Sequence, residues 1–240
     1  MSVVEFAERF RDEMVPLTNT LAYFSAAPLG EEEVKDYLDE PLAALPPLIR
    51  QALPKISILL VPYLEKPVGN GARMVAFDPP PERQADLSAH WSTPDRTFLA
   101  FATKGQDVGE YHYRFYRTLA EVLVEHWPEG IQNRYFSLLR EEFGAKAHGE
   151  VDEQSWHLKQ ALLRRQTNVR RETKLFREYA GQSFIDTLTL YLHGICCDID
   201  IDTGPRQLPS RYLRKRLLTF LELFPPPEGF AVFPEDLPQA

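Results

Sequence analysis

Lys55-Ile-Ser-Ile-Leu-Leu-Val-Pro-Tyr-Leu-Glu65 is the stretch on which the fold turns. It is short, apolar and β-branched, and Pro54 and Pro67 bound it, which is the pattern of a strand. Downstream, Met74 to Phe77 and Thr97 to Thr103 predict two shorter strands, and Val68-Gly-Asn-Gly71 is a turn signal that would pair the first two. Pro79-Pro80-Pro81 opens a long connection toward Arg96, expected at the surface.

Outside this region the spacing is helical. Val3, Phe6, Ala7, Phe10 and Met14 share one face of an expected helix over 3–15 that Pro16 ends. After Gly30, three glutamates suit the positive end of a helix dipole and predict a second helical stretch, which Pro41 and Pro46-Pro47 interrupt. Asp107 is placed to cap a helix reaching about Trp127, and Pro128 stops it. Further helices are expected at 130–143, 152–179 (capped by Asp152), 181–194 after Gly181, and 208–224. Ile195, Cys197, Ile199 and Ile201 alternate as one face of a strand over 195–202, with Asp198, Asp200 and Asp202 opposite.

The expected fold class is therefore α+β and mainly helical, with a small antiparallel or mixed sheet from the first half packed on C-terminal helices. One compact domain over 1–240 is expected. It would comprise an acidic helical region (1–53), the sheet (55–103), a helical region (108–224) and a proline-rich tail (225–240).

The only two cysteines, Cys196 and Cys197, are adjacent and cannot staple distant segments, which suits a reducing compartment. The opening Met1-Ser2-Val3-Val4-Glu5-Phe6 has no basic flank before an apolar run, and no stretch approaches the ~18 apolar residues of a membrane span. A cytoplasmic protein with no membrane partner is the expectation. The net charge of −8 disfavours nucleic acid as partner. Charge is unevenly spread: 1–53 hold ten acids and four bases, whereas 159–177 hold seven bases and one acid. The two segments can attract within the fold or across a homo-oligomer.

Specific chemistry is sparse. Asp198-Ile-Asp-Ile-Asp202-Thr-Gly204 echoes the start of a calcium loop, but Thr203 and Pro209 stand where such a loop needs Gly and Glu. His193, Cys196 and Asp198, with Asp200 and Asp202, are the metal-ligating types that cluster in sequence, yet the pattern reads more readily as core and acidic strand face, and no metal or other cofactor is expected. Arg164, Arg165, Arg170 and Arg171 form a basic helix surface suited to an anion or acidic partner. There is no Gly-rich phosphate loop and no Gly-x-Ser-x-Gly.

The order of elements, short strands then a long helix then further helices, resembles the core of zincin metallopeptidases of the gluzincin type over about 55–160. In that family the long helix carries His-Glu-x-x-His, which aims two imidazoles at one zinc. None of the six histidines here precedes a Glu, and no two lie four apart. The corresponding stretch is Ala120-Glu121-Val122-Leu123-Val124, and Glu141 or Glu142 stands about where the family places its third ligand. The resemblance thus implies a zincin-like frame without its metal site. His112 and His126, fourteen residues apart on one helix, would be separated by about 21 Å and cannot share an ion. The favoured function is a non-catalytic binding or scaffold role toward a protein or small molecule. One alternative is a hydrolase of unrecognised mechanism, with Glu121, Glu142, His112 and His126 as candidate catalytic groups. The other is an interaction module using the basic helix.

Overall fold

The computed structural model describes residues 1–67, 69, 71–105, 107–164, 171–197 and 206–233. The protein is α+β. Contacts within the chain gather into two compact units. One is formed by Met1–Leu42 with Leu53–Thr118, the other by Ala43–Ala52 with Leu119–Ala240.

The first unit holds a five-stranded mixed sheet built from β1 (Val15–Pro16), β2 (Leu21–Ser25), β3 (Ile56–Val61), β7 (Ser88–Ser92) and β8 (Thr97–Ala102), in the order β1-β2-β3-β8-β7. β2, β3 and β8 are parallel, with Ile58 opposite Tyr23 and Leu99, and β1 and β7 flank them antiparallel. Every residue of β3 and β8 is buried, as the central strands of a parallel core require. A second, antiparallel sheet has the order β5-β4-β6, from β4 (Tyr63–Glu65), β5 (Met74–Ala76) and β6 (Ala85–Asp86).

The decisive stretch 55–65 is thus two strands rather than one. Pro62 has no N–H for a ladder, so the chain leaves one sheet there and enters the other. The β4–β5 pairing is the one expected, although Val68 and Asn70 of its turn lie outside the described residues. The connection from Pro79 toward Arg96 is not a plain surface loop: it carries β6 and β7, whose Trp91 stacks on Phe98 at 5.2 Å between ring centres.

α1 (Val3–Arg9) starts with a Ser2–Glu5 capping box but ends well before Pro16, because the residues beyond it turn into β1 to pair with β2. Its Val3, Phe6 and Ala7 pack with Leu59, Val61, Leu64, Val75 and Phe98.

The helical run after Gly30 consists of α2 (Glu31–Val34), a π-helical turn (Lys35–Asp39) and α3 (Glu40–Ala43), and α4 (Pro47–Ala52) comes next. Pro41 explains the π turn. It cannot donate to the carbonyl of Tyr37, and the Glu40 N–H reaches back to Lys35, which leaves the carbonyl of Asp36 open as well. Both carbonyls are satisfied from α5 (Val108–Glu125): Tyr111 Oη donates to Tyr37 O at 2.8 Å, and His112 Nε2 donates to Asp36 O at 2.7 Å. Asp107 caps α5 through the N–H of Glu110, as expected. Burial pushes the Tyr111 phenol well up, so it stays a donor at any ordinary pH.

In the second unit, α6 (Glu129–Gly144), α7 (Glu153–Leu163), α8 (Lys174–Cys196) and α9 (Ser210–Leu223) surround an aromatic core in which Tyr135 and Phe184 each contact Phe220. Asp152 caps α7 through Gln154 N–H at 2.9 Å. The single helix expected over 152–179 is interrupted among the described residues: α7 stops at Leu163, and α8 starts afresh at Lys174 with Thr173 as its cap. Gly181 marks no gap, for α8 runs through it. Ile195 and Cys196 are helical rather than the start of a strand, and 198–202 lie outside the described residues. Among the described residues no helix is long and apolar enough to cross a membrane.

Two glycines make opposite predictions. Gly149 has φ +75°, and a methyl there would sit 2.1 Å from Gln207 O, so Gly149→Ala should lower unfolding free energy by about 3 kcal/mol or more. A methyl at Gly181 would sit 3.6 Å from Val124 Cγ1, an ordinary contact, so Gly181→Ala should stabilise by about 0.5–1 kcal/mol. Urea unfolding of both variants checks the pair. By the same measurement Tyr111→Phe, which orphans the Tyr37 carbonyl, should cost about 1–3 kcal/mol.

Candidate functional site

The densest collection of ionisable groups lies inside the second unit. Arg216 sits on α9 between Leu213 and Phe220, the turns that face the core, and it is fully buried. A guanidinium has five N–H donors, and burial demands a partner for each. Nε and Nη2 form a fork on the Glu142 carboxylate at 2.9 and 2.6 Å. Nη1 and Nη2 form a second fork on Glu150 at 2.7 and 2.9 Å, and Nη1 also reaches Ser183 Oγ at 2.9 Å. Glu150 in turn accepts from Lys159 Nζ at 2.9 Å and Tyr179 Oη at 2.5 Å. Tyr135 Oη joins Ser183 and Thr187 on the far side. Two carboxylates thus balance two cations in a volume closed to water, with Glu142, Glu150, Lys159 and Arg216 all at most 2% exposed.

The backbone places these groups as firmly as the side chains do. Glu150 is bridged to the chain just before α9: its N–H donates to Arg206 O and its carbonyl accepts from Leu208 N–H. Gly149 makes that approach feasible, and Lys159 Nζ caps its carbonyl at 2.8 Å. Burial alone would raise Glu150, but the charge and forked hydrogen bonds of Arg216, with Lys159 and Tyr179, outweigh it and hold the carboxyl down at about 2. Burial would lower Arg216, and Glu150, Tyr135 and Glu142 instead hold it well above its ordinary value. Burial pushes Tyr135 up to about 12.

This arrangement leaves little for a substrate. Every donor of Arg216 is engaged, and all its partners are enclosed. Glu142, a candidate catalytic acid, is spent on an ion pair. Glu121 is half-buried on α5, between Ala120, which is fully buried, and the turn of Val124, which packs toward Gly181. His112 is buried in the first unit on the π turn, while His126 is exposed just beyond α5 with Nδ1 3.4 Å from Val122 O. Lys159 belongs to the buried network and not to the basic surface in which its sequence position placed it. Of that surface, Arg164 and Arg171 are exposed, and Arg165 and Arg170 lie outside the described residues, as do Asp198, Asp200 and Asp202. His193 and Cys196 stand half-buried in the last turn of α8.

The second unit also has an open groove of about 630 Å³ where α7 meets α8. Asp152, Glu153, Gln154, His157 and Leu158 line one wall, and Glu178 and Gln182 the other. Its volume suits a ligand, and three of its lining residues, Asp152, Glu153 and Glu178, carry carboxylates. Glu153 holds His157 at 3.5 Å and Arg206 at 3.1 Å, and Arg206 stacks on Trp156 at the rim.

The network escapes a reading of the sequence because its members look like surface charges. The available signal is phase: Arg216 shares the stripe of Leu213, Leu217 and Phe220, and Lys159 that of Ser155 and Leu162.

Arg216→Met would strand the buried Glu142 and leave Glu150 with only Lys159 and Tyr179, and should cost about 3–5 kcal/mol in urea unfolding. Glu150 also sets an acid limb. Its folded value is depressed, so its contribution is complete above the unfolded value of 4.5 and is lost as pH falls through about 2, a loss of about 3 kcal/mol. The slope of stability against pH over that window should flatten in Glu150→Gln.

No family model, curated protein or solved structure matches this chain, so its site is read from its own chemistry.

Proposed function

We propose that the chain is a non-catalytic binding protein whose second unit is a rigid frame and whose receptive surface is the acidic groove of α7 and α8. One observation carries this reading: Glu142, Glu150, Lys159 and Arg216 are consumed by one another, down to the last N–H of Arg216. A catalytic acid or base needs access to a reacting atom, and Glu142 and Glu150 have none. The order of a mixed sheet and then the α5 helix suits a zincin-like frame, with Ala120 and Val124 filling by packing the places where imidazoles would hold zinc. Three carboxylates around an open groove favour a cationic, extended ligand such as a lysine-rich peptide segment.

Calorimetric titration with hexalysine tests the reading. Binding is expected at low salt, is expected to weaken at moderate salt, and should drop at least tenfold in Glu153→Gln/Glu178→Gln. Equal binding of hexaglutamate, or an unchanged affinity in the double variant, sinks the groove. Peptide or ester hydrolysis that scales with protein and disappears in a folded Glu142→Gln variant would overturn the non-catalytic reading itself.

A further inference from the structure

The two cysteines are an adjacent pair that belongs to neither the buried network nor the groove. Cys196 is the last residue of α8, and Cys197 comes directly after it in extended backbone with φ −138° and ψ 151°. Neighbouring side chains diverge by about 100° around a continuing helix and point to opposite faces of a strand. Here, where the backbone passes from helix to extended, the two sulfurs lie within 4.8 Å of one another. They are not joined as a disulfide, and both residues are half-buried, so the pair is within reach of solvent.

We propose that Cys196 and Cys197 form a two-thiolate site for a soft, thiophilic metal ion of the cuprous type. Sulfurs bonded to one ion at about 2.3 Å lie no more than about 4.6 Å apart, a spacing this pair meets with at most a small rotamer change. Thiolates select soft ions such as Cu(I), while calcium and magnesium take oxygen ligands and fit neither sulfur. The location favours a cation too. The final carbonyls of a helix carry the negative end of its dipole, and only part of that is taken up when the Cys197 N–H donates to His193 O at 2.7 Å. On binding, two S–H protons leave to solvent as two sulfur–metal bonds form, and no electron changes hands. The site is independent of the acidic groove and stands or falls separately from it.

The test titrates the reduced full chain, without oxygen, against Cu(I) held by the chromophoric chelator bicinchoninate. The protein should withdraw one Cu(I) per chain, at least tenfold less tightly in Cys196→Ser and in Cys197→Ser, and not at all in the double variant. A wild-type chain that leaves the chelator loaded overturns the proposal. So does a folded double variant that withdraws as much copper as wild type, which would place the ion on histidines. Should the serine variants fail to fold, unmodified protein decides: bound Cu(I) should protect both thiols from N-ethylmaleimide by mass spectrometry, and unchanged labelling would reject the site.

Discussion

A guanidinium without water organises the second unit. Taking Arg216 out of solvent costs several kcal/mol, a cost offset only by charge-assisted hydrogen bonds at good geometry. Two glutamates from different segments supply them: Glu142 from α6 and Glu150 from the loop before α7. α9 carries the arginine, α7 contributes Lys159, and α8 contributes Tyr179, Ser183 and Thr187. Four helices are therefore keyed to one planar cation, and the forked geometry fixes their relative register more narrowly than apolar contact would. An all-apolar centre of the same volume could be as stable, but it would tolerate sliding that these paired forks do not.

The first unit meets the same accounting with backbone groups. Pro41 removes one helical donor and the π turn displaces another, and the open carbonyls of Tyr37 and Asp36 are filled by Tyr111 and His112. Buried carbonyls cannot be left without donors, so Tyr111 and the candidate catalytic His112 on α5 both serve the helical run 31–43. His112 is the clearer case: a buried imidazole invites a catalytic or metal reading, yet its Nε2 is held against a main-chain oxygen.

The elements legible in the sequence are those whose signals are local. Ile56–Val61 announces itself by an apolar β-branched run and Thr97–Ala102 by a short apolar, aromatic one, and α5 and α7 by Asp107 and Asp152 at their starts. The elements that escape such a reading depend on partners far along the chain. β2 and β7 have modest strand character and exist because β3 and β8 offer ladders. Gly181 looks like a break but is tolerated inside a helix packed against Val124. The site is harder still, because net charge counts Arg216 and Lys159 as surface bases, and only their phase with buried apolar neighbours tells otherwise.

The partition of the chain also bears on how it can be handled. Ala43–Ala52 belongs with Leu119–Ala240, although the residues before and after it belong to the other unit. The two units are interwoven along the polypeptide rather than strung in series, so no single scission separates them. A fragment ending at Thr118 would carry off a piece of its counterpart, and the remaining fragment would lack a helix it natively owns. Dissection of this protein therefore calls for grafting or permutation of the 43–52 segment, where ordinary truncation would yield two incomplete pieces.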